Sequence, residues 1–344
     1  MNRIIPFFAL FSVIICTSCD TKEPKSERCP CSEKEITGGN PWEIKWETAE
    51  DSFAGIENIS FENYPKVDGS TSANILNTMV ACKLLGVRYA WMTLVSEWFL
   101  QPAYMDIPEQ YGGYEFFGER LKTSQTHGAF MNLIDGEVDI ILTHRTISTD
   151  ERNHADSVGV TLIETPIALD AFVFVVNKDN PVNTLTVNQI QKIYTKEITN
   201  WSQVGGNKEE MKVFTRPRNS GSEEVFRTLV MGGLEPADFP EAQIGSMAWV
   251  FSEVINNKNS ICYSFNTYKD LQARISCAEV PVIAINGICP NKNTVKNNTY
   301  PLISKVHVAI RSDLDHNSMA YKLYEWLQSE NAKYTITECG FLPK

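Results

Sequence analysis

Apolar and polar positions along this chain follow two periods, one helical and one strand-like. In residues 74–85 (NILNTMVACKLL), Ile75, Met79 and Cys82 share one helical face, with Leu76, Val80 and Leu84 beside them. Gly86 follows as the natural stop. The runs 138–142 (VDIIL) and 168–177 (ALDAFVFVVN) read as strands. Ser148 with Glu151, and Thr186 with Gln189, have the spacing of capping boxes, and each opens a predicted helix. Residues 318–332 read as one amphipathic C-terminal helix carrying Tyr321, Leu323, Tyr324 and Leu327. Strand and helix patterns alternate from about Glu57 onward without a repeat, which predicts α/β architecture.

The N-terminus has a different pattern. Arg3 precedes a 13-residue apolar run, 4–16 (IIPFFALFSVIIC), shorter than the roughly 20 residues a bilayer-spanning helix needs. It ends in Cys16-Thr17-Ser18-Cys19, similar to a lipobox, so residues 1–18 are expected to be a lipoprotein signal peptide and Cys19 the lipidated residue. Residues 19–45 are charged, interrupted by Pro and Gly, and expected to form a flexible tether. Without Cys16 and Cys19, seven of the nine cysteines remain. That odd number predicts little more than one disulfide, and Cys29-Pro30-Cys31 lacks the second pair that a zinc site needs.

With 344 residues, 43% of them hydrophobic, the chain is long enough for about two domains. Its 31 basic and 42 acidic side chains leave a net charge of −11, which argues against a nucleic-acid partner held by broad electrostatic attraction. The five histidines form no metal-ligand motif, no G-x-S-x-G elbow is present, and neither a metal nor a cofactor is expected.

The candidate chemistry lies in three hydroxyl-rich loops, each preceding a helix. They are 68–73 (DGSTSA), 123–128 (TSQTHG, before a short helical stretch 129–134) and 216–222 (RPRNSGS, before 223–231). Unpaired N–H groups at a helix start, with hydroxyls and a close-approaching glycine, can hold an oxyanion without any cationic patch. Arg145 and Arg216 stand where a planar guanidinium fork would add bidentate contacts.

Across nearly all of 57–344 the chain resembles the phosphate-binding protein of bacterial ABC phosphate importers. The resemblance rests most on 166–206 (PIALDAFVFVVNKDNPVNTLTVNQIQKIYTKEITNWSQVGG). GSTSA (69–73), GEVDI (136–140), RPRNSGSEEVF (216–226), ICYS (261–264), YPL (300–302) and the closing GFLPK (340–344) support it in order. It implies a type II periplasmic-binding-protein fold: lobe I from 46–165 and 300–344, lobe II from 166–299, and ligand in the cleft between them. The implied phosphate ligands are Ser70, Thr71, Thr126 or its neighbour His127, His144, Arg145, Arg216, Ser220, Gly221 and Ser222, and Asp170 falls near the hinge. The implied protein is a monomer at the cell envelope, anchored only by its lipid. It would deliver inorganic phosphate to an ABC permease and its ATPase subunits. A receptor or sensor for another oxyanion or a phosphorylated molecule, and a phosphohydrolase with His127 and His144 meeting in the cleft, are the alternatives.

Three departures stand out. Where some relatives place an aspartate after the VDIIL strand, this chain has His144-Arg145, leaving His144, Asp68 and Asp170 as candidate acceptors of the proton that phosphate retains. Arg218 stands where relatives often carry an acid, and Glu223 and Glu224 are expected to point outward. Residues 87–119 are long and aromatic, expected to fill core and add to the surface of one lobe.

Overall fold

One strand, Leu162–Val176, runs through both halves of the molecule. The structure is a computed structural model describing residues 28–30 and 45–344, apart from 95–96, 246, 248 and 273–278. The first part of the strand pairs antiparallel with Ile303–Arg311, which pairs with Ile140–Thr143, itself parallel to Val67–Gly69. The last part, from Phe172, pairs antiparallel with Ser260–Phe265, flanked in parallel by Lys212–Val213. A register shift between Val306 and His307 falls where Ile303–Arg311 runs along the long strand. Bulges bend and twist strands, so this is a natural place for a hinge.

Each half has its own apolar core. One gathers Phe172, Phe174, Tyr194, Phe226 and Tyr263; the other gathers Leu76, Met79, Ile140, Val306 and Val308. This is the two-lobed α/β arrangement. Leu271 packs in the core of the other half from the stretch around it, so that core draws a residue from between its two main segments.

The helix Asn74–Leu85 forms as its pattern predicts and stops at Gly86, whose left-handed backbone (φ 69°) suits glycine. Both capping boxes form, opening Thr149–Ser157 and Val187–Tyr194. Two expectations change. The single C-terminal helix divides into Met319–Trp326 and Glu330–Glu338 because Ser329 adopts extended backbone (ψ 166°) and starts a new helix, which buries Ala332 and Ile336. The second hydroxyl loop is shorter than read, since its helix begins at Gln125 and takes in Thr126 and His127. Residues 87–119 form a hairpin, Tyr89–Leu94 with Glu97–Pro102, then a helix, Tyr114–Arg120; Phe116 and Phe117 are buried while Met105 and Tyr114 are exposed.

The expected tether is also corrected at one point. Cys29 forms a disulfide with Cys289 (Cα–Cα 5.3 Å), and Arg28 Nη2 donates to the carbonyls of Lys178 (2.6 Å) and Asn180 (3.0 Å). Residues 28–30 are therefore fixed to one half, whereas Glu47 pairs with Tyr89 in the other. Residues 1–18 and Cys19 lie outside the described residues, among which no helix is long and apolar enough to cross a membrane.

Candidate functional site

The first loop is built around Asp68. Its Oδ1 accepts from the amides of Gly69 (2.7 Å) and Ser124 (2.9 Å), and its Oδ2 from Asn132 (2.7 Å), so one buried carboxylate joins the first two hydroxyl loops. Those three bonds give Asp68 a structural role and leave one further acceptor position, on Oδ2. At Gly69 a Cβ would lie 2.7 Å from the Leu142 carbonyl, so only glycine admits the approach that lets the Ser70 amide donate to that carbonyl (3.0 Å). The amides of Thr71 and Ser72 have no partner among the described residues, as expected of a first helical turn.

In the second loop Gln125 takes a left-handed backbone (φ 62°), and Thr126 is buried. His127 turns aside, its Nδ1 2.9 Å from Glu151. Ser72 and Asp170 flank His144, so no hydrogen bond joins the two histidines that the phosphohydrolase alternative brought together.

Arg145 makes a bidentate pair with Glu151 (2.6 and 2.7 Å) and stacks over Phe130, and its buried Nε has no acceptor. Sequence spacing marks Glu151 only as a helix cap; it does both jobs. Burial alone would raise its carboxyl, but the Arg145 hydrogen bonds and charge outweigh that and hold it below the usual 4.5. A lowered carboxyl pKa contributes stability above its unfolded value and loses it as pH falls through the folded value. Thermal melts should therefore show stability declining below about pH 4.5, and a Glu151→Gln variant should lose part of that decline while melting lower at neutral pH. Identical pH profiles would contradict the pairing.

In the third loop, Arg216 is 6% exposed, and burial pushes its guanidinium down from its ordinary value. Nη1 donates to the Ile244 carbonyl (2.7 Å) and the amide to Tyr263 Oη (3.1 Å), but Nε has no acceptor and no carboxylate pairs with the guanidinium among the described residues. Ser220 Oγ accepts from the Glu223 amide (3.3 Å), leaving its own hydrogen free, and the buried Ser222 hydroxyl has no partner. Glu223 does not point outward. It is buried against Tyr263 Oη and Arg227 (2.8 Å), and it fixes the loop from behind. Glu224 is half-buried rather than outward; burial raises its carboxyl, opposed by Arg145 and Arg227. Arg218 is exposed and adds nothing to the enclosed charge.

The halves meet here. Gly221 packs so tightly on Thr126 that a Cβ would overlap the Thr126 hydroxyl. An open depression lies elsewhere, along Met105–Glu115, with no orphaned buried donor in its lining. A family model described as a PBP superfamily domain matches residues 102–331.

The chain belongs to the PBP superfamily.

Among the relatives of this PBP-superfamily chain, Protein SphX of Synechococcus elongatus is 27% identical over 231 residues, 64% of this chain and 67% of that protein. Phosphate-binding protein PstS of Bacillus subtilis is 23% identical over 184 residues, 53% of this chain and 58% of that protein. The matches thus span between about half and two thirds of those relatives. Two solved structures share the fold. A candidate phosphate ABC transporter substrate-binding protein with bound phosphate from Clostridium perfringens has TM-score 0.60 at 19% identity, covering 83% of this chain and 100% of that one. An ABC-type phosphate transport receptor from Vibrio cholerae has TM-score 0.55 at 24% identity, covering 81% and 99%.

Proposed function

We propose that this protein captures inorganic phosphate between its two lobes, 46–165 with 300–344 and 166–299, and delivers it to an ABC permease and its ATPase subunits. The observation that carries the reading is that three of the buried side-chain atoms without a partner, Arg145 Nε, Arg216 Nε and Ser222 Oγ, belong to residues read from the sequence as anion ligands. Buried donors are normally satisfied, and two orphans on the third loop with a third on Arg145, just after the strand Ile140–Thr143, call for a ligand rich in acceptors. Thr71, Ser72, Thr126, Ser220 and Gly221 complete the donor set around them, with Ser70 and His144 at its edge. The names and bound phosphate of the similar proteins point the same way. The Cys29–Cys289 disulfide suits an oxidising, extracytoplasmic setting, which fits a signal peptide at 1–18 and a lipid on Cys19. The working unit is a monomer with no enzymatic step.

Calorimetry with phosphate, arsenate, sulfate and a phosphorylated sugar tests the reading. One-to-one binding of phosphate and arsenate, with sulfate much weaker, is expected. Heat from none of the four, or tighter binding of the sugar phosphate than of phosphate, would overturn it, and turnover of a generic phosphate ester would favour a hydrolase.

A further inference from the structure

An anion held by the predicted ligands meets more buried negative charge than positive. Among the described residues, four buried carboxylates adjoin those ligands. Asp68 accepts from the amides of Gly69 and Ser124, and Glu151 holds Arg145 bidentately. Glu223 accepts from Tyr263 Oη and from the Arg216 amide (3.4 Å), and Asp170 Oδ2 stands 3.4 Å from His144 Nε2. Against them stand two buried guanidinium groups, Arg145 and Arg216. The other buried cations are committed elsewhere, Lys83 to Glu50 and Glu338, Lys269 to Asp270. Arg227 is shared between Glu223 and Glu235, and Arg152 and Arg218 are exposed. Glu164 and Glu224, both half-buried and both feeling the Arg145 charge, add to the negative side. Of the imidazoles nearby, His127 is held by Glu151, His144 by Ser72, and His307 stays uncharged, burial pushing its pKa down to about 4.

Charges enclosed away from water act on one another far more strongly than at a surface. A dianion would bring two negative charges to a place where buried carboxylates already outnumber guanidinium groups, and burying unbalanced charge is costly. A second proton on phosphate halves what must be balanced. We propose that this excess of buried carboxylates makes the site take phosphate as the monoanion, dihydrogen phosphate, in preference to the dianion. The inference rests on the phosphate reading and deepens it. Near neutral pH both ionisation states of phosphate are present, so the monoanion is always at hand. Sulfate has no such form at any working pH, and the same excess of charge excludes it. The unpartnered donors Arg145 Nε, Arg216 Nε and Ser222 Oγ suit a ligand that still has bare oxygens.

Calorimetry on the full-length protein from about pH 6 to 9 makes the first test. Apparent phosphate affinity should follow the monoanion fraction and fall about tenfold per pH unit at the alkaline end. A proton taken up by His127 or His144 would give a similar slope, so the bound ligand is also read directly. Isotope-edited infrared spectra with oxygen-18 phosphate, taken where free phosphate is mostly dianion, should show the P–O stretching bands of the monoanion. Glu223→Gln removes one buried charge from a side chain already occupied by Tyr263 and Arg227. That variant, once melts show it folded, should lose less affinity over the same rise in pH. Dianion bands, affinity level or rising across the range, or a folded variant with the wild-type slope would overturn the proposal. If phosphate binds at no pH, the phosphate reading itself falls; if it binds as the dianion, only the charge selection does.

Discussion

Arg216→Ala is expected to weaken phosphate binding by about 2–5 kcal/mol, on the order of 30-fold to several-thousand-fold in Kd. The guanidinium is 6% exposed, and its one described hydrogen bond is to a neutral carbonyl, that of Ile244. A buried cation in that setting gains most from an anionic ligand, and the ligand loses most when it is removed. Its counterpart, Arg145, already has Glu151, so Arg145→Ala would expose a buried carboxylate and confuse binding with stability. Arg216 is the cleaner experiment. Calorimetry on the folded variant decides it, and phosphate affinity equal to wild type would sink the site assignment.

Gly221→Ala should come next, through geometry rather than charge. A Cβ there would overlap the Thr126 hydroxyl across the lobe interface, so the substitution acts on closure. Overpacking of this kind costs about 1–3 kcal/mol, which raises the apparent Kd roughly 5- to 150-fold if it falls wholly on the closed state. Lobe I and lobe II would each stay intact, so melting of the unliganded protein should hardly move. Small-angle scattering with saturating phosphate should give a larger radius of gyration than wild type with phosphate. Wild-type affinity together with wild-type compaction would show that Gly221 does not govern closure.

The sequence makes legible what depends on local rules. The Gly86 stop and the two capping boxes are decided within a few residues and form as read, while the helices after the second and third hydroxyl loops begin earlier, at Gln125 and Gly221. Three of the buried atoms left without a partner, Arg145 Nε, Arg216 Nε and Ser222 Oγ, also belong to residues that the sequence singles out. What escaped the reading depends on partners far apart in the chain. Asp68 reads only as a candidate proton acceptor until Ser124 and Asn132 arrive from 56 and 64 residues away. Glu223 looks like an exposed first-turn acid until Tyr263, 40 residues on, buries it. Ser72 was visible only as one of several hydroxyls, and its role depends on a histidine 72 residues downstream. Ser329 breaks the C-terminal helix although the apolar period runs on: its backbone is extended, and its hydroxyl turns back to donate to the Trp326 carbonyl (2.7 Å).

The Cys29–Cys289 bond also bears on mechanics at a surface. With a lipid on Cys19, only about ten residues separate the bilayer from the bonded cysteine, a leash no longer than roughly 35 Å even when fully extended. The leash ends on the half that holds Lys178, Asn180 and Cys289. With such a lipid that half would be moored, and the other half, with the insertion 87–119, would make any excursion as the two halves part. A permease waiting on the same membrane would meet one steady docking face and one moving one.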